Sequence, residues 1–188
     1  MKNEEITDFT EKQVSSELIF DGRILHVYND QILLPNGESS QREYIRHVGA
    51  VCVIPITDDG DVIVEHQYRY PTGQTLLEIP AGKLNYKGED PDSAVLRELK
   101  EETGAEAGEL VSLGYFYCTP AYSDEKIHMY MARNLTFGET QRDEDEFLSV
   151  EKIPLKKLVE MVMNNEVPDI KTQAAVLRAY MMIGHEFE

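Results

Sequence analysis

A mixed α/β architecture, with helices covering a sheet and a small antiparallel β segment in front, is the fold class the sequence predicts. Three observations carry it: short β-prone runs broken by Asp-Gly and Pro-Asn-Gly turns fill the first 46 residues, a change of apolar period opens a capped helix after Asp90, and two stretches of helical spacing end the chain. With 188 residues, one domain plus an appendage is expected rather than two ordinary enzyme domains.

In chain order, Glu17–Phe20, Arg23–Tyr28 and Gln31–Leu34 are separated by Asp21-Gly22 and closed by Pro35-Asn36-Gly37, which predicts a small antiparallel meander. Three short strands make a poor core, so residues 1–46 are expected to pack on the main body, residues 47–188, or on a second subunit. The runs Ala50–Ile56 and Val62–Tyr68 flank a Thr57-Asp-Asp-Gly-Asp turn and read as a hairpin, and a third run, Leu76–Ile79, stops at Pro80-Ala81-Gly82. Asp90 is a good N-cap with Pro91 at the first helical position, and the helix should reach Thr103 and stop at Gly104. Leu110–Cys118 and Ile127–Arg133 return to strand character, whereas Leu155–Asn164 and Ile170–Ile183 carry helical spacing.

Composition narrows the function classes. No apolar stretch approaches the roughly 20 residues that span a bilayer, and the polar, acidic start lacks the pattern of a secretory signal, so a cytoplasmic protein with no membrane partner is expected. Thirty-five acidic against 18 basic side chains give a formal charge of −17, which repels a polyphosphate backbone and argues against nucleic acid. Cys52 and Cys118 show neither CxxC nor Cys/His spacing and read as buried free thiols. The paired methionines of the terminal helices, Met161/Met163 and Met181/Met182, read as core. An acidic protein still binds anions where divalent cations stand between the two sets of charges.

The chemistry-bearing stretch is Arg97-Glu98-Leu99-Lys100-Glu101-Glu102-Thr103-Gly104. At about 100° per residue Glu98 and Glu102 share one side of the helix and Glu101 sits beside the same edge. Acids at this spacing usually just face water, and Arg97 with Glu101 makes an ordinary surface ion pair. Placement and rarity argue for more. The acids follow a strand, a Pro-Ala-Gly break, a loop with Gly88-Glu89 and a capped helix start, and the octet arises by chance anywhere in such a chain about once in a thousand.

This stretch resembles the Nudix hydrolase signature, G-x5-E-x7-R-E-U-x-E-E-x-G-U with U a bulky aliphatic residue, over Gly82 to Ala105. Two departures are visible: six residues rather than five separate Gly82 from Glu89, and Ala105 is small for the last position. Pro80-Ala81-Gly82-Lys83 and Pro120, sixteen residues after Gly104, are similar to the ADP-ribose pyrophosphatase subgroup, and the likeness of element order covers nearly the whole chain. The resemblance implies a Nudix-type α/β/α sandwich with a mixed sheet, preceded by the N-terminal antiparallel β segment.

It also implies an activity and roles. The reaction is Mg²⁺-dependent hydrolysis of ADP-ribose to AMP and ribose 5-phosphate, with Mn²⁺ as a substitute. Glu98, Glu102, Glu101 and the main-chain oxygen of Ala81 would ligate metal, and Arg97 would orient a glutamate through its fork of donors. The acidic loop 142–146, otherwise a solvated charge run, would supply Glu144 as the group that activates water and Glu146 as a further ligand. Arg69 would contact substrate phosphate, against the alternative of a strand-end surface residue, with Arg46, His47 and Pro120 as further substrate contacts. The extra loop residue leaves the parts of Gly82 and Glu89 open. In the subgroup the N-terminal segments are commonly exchanged across a homodimer, which is the expected assembly. The rival readings are a pyrophosphatase for another nucleoside diphosphate derivative (an ADP-sugar, GDP-mannose or a dinucleotide), a non-catalytic ADP-ribose sensor, and a purely structural acidic protein.

Overall fold

Turn chemistry accounts for the first three strands of the computed structural model, which describes residues 7–141 and 147–187. β1 (Lys12–Asp21), β2 (His26–Leu33) and β3 (Ser39–Arg46) form an antiparallel meander in the order β1-β2-β3, which corrects the expected strands: Arg23–Tyr28 and Gln31–Leu34 contribute to one strand, β2, and the third strand follows the Pro35-Asn36-Gly37 turn. Gly37 closes the second turn at φ 84°, in the left-handed region that glycine enters without penalty. β1, an edge strand of this sheet, is exposed along its whole length. The described chain divides into two compact units. This meander, running to His47, and the loop Thr119–Glu125 form one; the other comprises Val48–Cys118 and the chain from Lys126 onward. Within the first unit the loop is stitched to β3: the Ile45 N–H donates to the Tyr122 oxygen at 2.9 Å, and the Asp124 N–H donates to the Ile45 oxygen at 3.2 Å.

The second unit holds two sheets. β4 (Ala50–Pro55), β7 (Ala81–Lys83), β8 (Ala105–Tyr117) and β9 (Lys126–Phe137) form a mixed sheet in the order β7-β4-β9-β8, with β4 and β9 parallel. β5 (Asp61–Arg69), β6 (Gln74–Glu78) and β10 (Leu148–Pro154) form an antiparallel sheet in the order β10-β5-β6. The expected hairpin of Ala50–Ile56 with Val62–Tyr68 is therefore corrected. The Thr57–Asp61 turn forms, but only the Ile56–Val62 bridge joins the two runs before they part into different sheets. β4 is buried on both faces, so it has no polar side to pair as a simple hairpin arm.

Its two faces define the layers. Val51 and Val53 pack with Ala94, Val95 and Leu99 of α1 (Pro91–Thr103). Cys52 and Ile54 pack with Leu158 and Val162 of α2 (Leu155–Met163) and Val176 and Ala179 of α3 (Ile170–Ile183). Helices thus cover the mixed sheet on both sides. Two further expectations change. Cys52 is buried, which pushes its thiol up to about 12, but Cys118 is exposed. Of the paired methionines only Met161 packs against the core, while Met163, Met181 and Met182 are exposed, the apolar stripe of each helix lying on its other side. No helix among the described residues is long and apolar enough to cross a membrane.

Candidate active site

The site is assembled on β7, the loop after it and α1. Asp90 caps α1 by accepting from the Ser93 N–H at 3.2 Å, and Gly104 ends it at φ 72°, its N–H donating to the Lys100 oxygen at 2.9 Å. These caps fix the helix register. They place Glu102 on the buried stripe with Ala94, Val95 and Leu99, and leave Glu98 and Glu101 at its edge. Glu102, only 3% exposed, accepts from the Ala81 N–H at 3.1 Å, so a carboxylate of α1 and the backbone of β7 are directly coupled.

Arg97 organises the other acids. Its Nη1 donates to Glu98 Oε1 at 2.7 Å and to Glu101 Oε2 at 3.1 Å, and Nη2 stands 3.9 Å from Glu89 Oε1. Burial works against the guanidinium charge, but Glu98 and Glu101 outweigh it and hold the Arg97 pKa above the ordinary arginine value. A cleft of about 250 Å³ opens in front, lined by Ala81, Gly82, Lys83, Asn85, Arg97, Glu98 and Glu101.

The loop turns from Tyr86 to Glu89, with Gly88 at φ 91°, and the Glu89 carboxylate folds back to accept from the Asn85 N–H at 2.5 Å and from Asn85 Nδ2 at 3.2 Å. Glu89 therefore stays within the Arg97 cluster despite the altered spacing. Gly82 has a different reason to be glycine. A Cβ there would overlap the Glu98 carboxylate, so the missing side chain is what lets Glu98 lie against the β7 backbone.

The cleft residues suit a hard divalent cation: the carboxylates of Glu98 and Glu101 and the Asn85 side chain line it beside Ala81, with no sulfur or imidazole in that lining. In this arrangement Arg97 lies between the carboxylates, and among the described residues no three His, Cys, Asp or Glu side chains stand close enough to hold an ion by themselves.

The remaining sequence-predicted residues fall elsewhere. Arg69 is engaged with Glu78, its Nε donating to Oε1 at 2.7 Å and its Nη2 to Oε2 at 2.8 Å. Arg46, His47 and Pro120 all belong to the unit of the N-terminal meander. Arg46 lies 4.0 Å over the Tyr28 ring, and the His47 N–H donates to Asp124 Oδ1 at 2.6 Å. Glu144 and Glu146 lie outside the described residues.

One group of residues escaped the sequence reading: Glu78, Asp169, Lys171 and Thr172. Glu78 is 2% exposed, and Lys171 as well as Arg69 contacts its carboxylate. Burial alone would raise the Glu78 pKa, but Arg69 and Lys171 more than offset it and hold it below the usual glutamate value. The available signal was a lone acid inside the apolar run Leu76–Ile79, since a buried charge needs a partner.

Comparison with known proteins agrees with this geometry. The NUDIX domain family matches residues 46–174, and the family described as nucleoside diphosphate sugar hydrolase N-terminal domain matches residues 11–45. The chain is 43% identical to an ADP-ribose pyrophosphatase of Bacillus subtilis over 88% of its length and 90% of the relative. It is 42% identical to a methanol dehydrogenase activator of Bacillus methanolicus over 89% and 91%. A crystal structure described as ADP compounds hydrolase superposes with a TM-score of 0.83 at 24% identity, covering 94% of this chain and 95% of that one, a likeness of fold. With the Glu98–Glu101–Glu102 helix, the β7 backbone and the covered mixed sheet all in place, the chain belongs to the NUDIX domain family.

Proposed function

We propose that this chain hydrolyses the diphosphate linkage of ADP-ribose, releasing AMP and ribose 5-phosphate, with Mg²⁺ as cofactor, Mn²⁺ as a substitute and the cytoplasm as its setting. The observation that carries the reading is the gathering of Glu89, Glu98 and Glu101 around the guanidinium of Arg97, with Glu102 on the neighbouring Ala81 N–H and a backbone opened by Gly82. The 43% identity to an ADP-ribose pyrophosphatase supports the choice of substrate.

Four carboxylates against the two cations Arg97 and Lys83 leave a formal excess of two negative charges, which by itself turns a doubly charged diphosphate away. Glu98, Glu102 and the Ala81 carbonyl would hold the cation, with Glu101 joining them. When bound, such an ion neutralises phosphate oxygens and polarises phosphorus toward attack. Glu144, outside the described residues, would take a proton at its carboxylate from the attacking water, with Glu101, whose side chain is 36% exposed, as the alternative. The water oxygen bonds to phosphorus as the bridging P–O bond breaks, and the leaving phosphate keeps the electron pair. Arg97 orients Glu98 and Glu101 through the bonds from its Nη1. Glu146, in the same loop, would be a further ligand.

Arg69, with 40% of its side chain exposed beside Glu78, is assigned a phosphate contact, and Arg46, His47 and Pro120 are assigned to substrate binding. Residues 1–46 act as a dimerisation and substrate element and residues 47–188 as the hydrolase domain, in a homodimer.

The test is to incubate the purified full chain with ADP-ribose, ADP-glucose, GDP-mannose and a dinucleotide, with Mg²⁺ or with EDTA, and to identify the products. Mg²⁺-dependent appearance of AMP and ribose 5-phosphate is expected. Turnover of GDP-mannose with ADP-ribose left intact would overturn the substrate assignment.

A further inference from the structure

We propose that Thr172, oriented by Asp169, is a positioning residue for the reaction: through the Ile79 N–H it sets the path of the Glu78–Ala81 segment, and so where Ala81 stands against Glu102. The proposal rests on the reading of Ala81 and Glu102 as metal-holding groups.

Ile79 and Pro80 connect β6 to β7 and belong to neither strand. A buried N–H in such a gap needs a partner from outside the sheet. Thr172, fully buried at the start of α3, supplies it: the Ile79 N–H donates to Thr172 Oγ1 at 2.9 Å across 93 residues of sequence. A hydroxyl has one proton. That of Thr172 goes to Asp169 Oδ2 at 2.6 Å, which leaves a lone pair aimed at Ile79. Asp169 also accepts from the Thr172 N–H at 2.9 Å, so the cap that starts α3 is the group that fixes the hydroxyl.

The next residue strengthens the grip. Lys171 contacts the Glu78 carboxylate and stands 3.1 Å from Asp169 Oδ2, so one helix start holds both a side chain and a backbone amide of the segment. Pro80 has no N–H and a narrow φ, and its oxygen accepts from the Val53 N–H at 2.9 Å. A shift at Ile79 therefore passes to Ala81, whose N–H bonds Glu102 at 3.1 Å. Small displacements at such positions cost catalysis more than substrate binding.

The experiment compares the full-length parent with Thr172→Val, which keeps the shape and loses the acceptor, and Thr172→Ser, which keeps the hydroxyl. Amide exchange at Ala81 by NMR, Mn²⁺ affinity by calorimetry, and kcat and KM for ADP-ribose are measured on each. For Thr172→Val, exchange at Ala81 is expected to quicken and kcat to fall, each at least about tenfold, and the Mn²⁺ Kd to rise at least about fivefold, with KM within about threefold. Thr172→Ser should return every value to within about threefold of the parent. If Thr172→Val gives no cooperative melt, Asp169→Asn takes its place, with changes in the same direction of at least about threefold. Unchanged Mn²⁺ affinity and kcat in whichever variant folds, or a Thr172→Ser protein as impaired as Thr172→Val, overturns the proposal. A parent that leaves ADP-ribose intact sinks the proposed function instead, and the clamp is then judged on Ala81 exchange and Mn²⁺ affinity.

Discussion

Glu102 is the most deeply buried of the four site carboxylates, and its contact with the Ala81 N–H makes its charge hard to replace. Glu102→Gln preserves shape and an acceptor oxygen but removes the charge, so kcat/KM with Mg²⁺ should fall at least about 100-fold while the melting temperature stays near the parent's. A variant with parental turnover would remove Glu102 from the metal-holding set. Gly82→Ala separates site from stability in another way. The added methyl collides with the end of the flexible Glu98 side chain rather than with backbone, so Glu98 must swing aside. Turnover should drop about tenfold or more, with a denaturation midpoint corresponding to less than about 1 kcal/mol of loss. Glu78 offers a pH test. Its folded-state pKa lies below the ordinary 4.5, so its contribution to stability is present above that value and is lost as pH falls through the folded pKa. A carbon-detected titration of its carboxyl should have its midpoint below 4.5; a midpoint above would mean that burial outweighs Arg69 and Lys171.

Elements succeed or fail here on their ends. α1 begins and ends where the caps predict, because Asp90, Pro91 and Gly104 act through local geometry that needs no distant partner. Replacing Asp90 by Ala should cost about 1 kcal/mol in a denaturant titration. Gly104→Ala should cost more, about 1–3 kcal/mol, since the residue sits at φ 72° and a Cβ would meet the Gly138 oxygen at 2.5 Å. α3 is legible from its apolar spacing, although its cap, Asp169, was not read from the sequence. β7 and β10 are not. β7 is three residues long and contains Gly82, and β10, Leu148–Pro154, carries Glu151 and Lys152 on an edge, so neither has a period of its own. Both exist because a neighbouring strand supplies hydrogen bonds, β4 to β7 and β5 to β10.

At the scale of the whole molecule, the N-terminal unit leaves Phe9, Val14, Ile19, Phe20 and Ile24 exposed, apolar side chains that a partner surface could cover. Sedimentation equilibrium at micromolar concentration should therefore report a dimer, and Phe20→Asp should shift it toward monomer; a monomeric parent would reject the assembly. The order of turns, the capped helices and the acidic octet are written in short stretches, because capping, φ preference and helical spacing act over a few residues. From these alone follow the fold class and the carboxylates of α1. Which strands share a sheet did not follow, as the parting of β4 from β5 illustrates: an apolar run buried on both faces has no polar side to name its neighbour. Nor did Lys171 as a partner of Glu78 or Thr172 as the partner of Ile79, both on α3 some 93 residues away, since a buried charge or amide announces that it needs a partner but never which one.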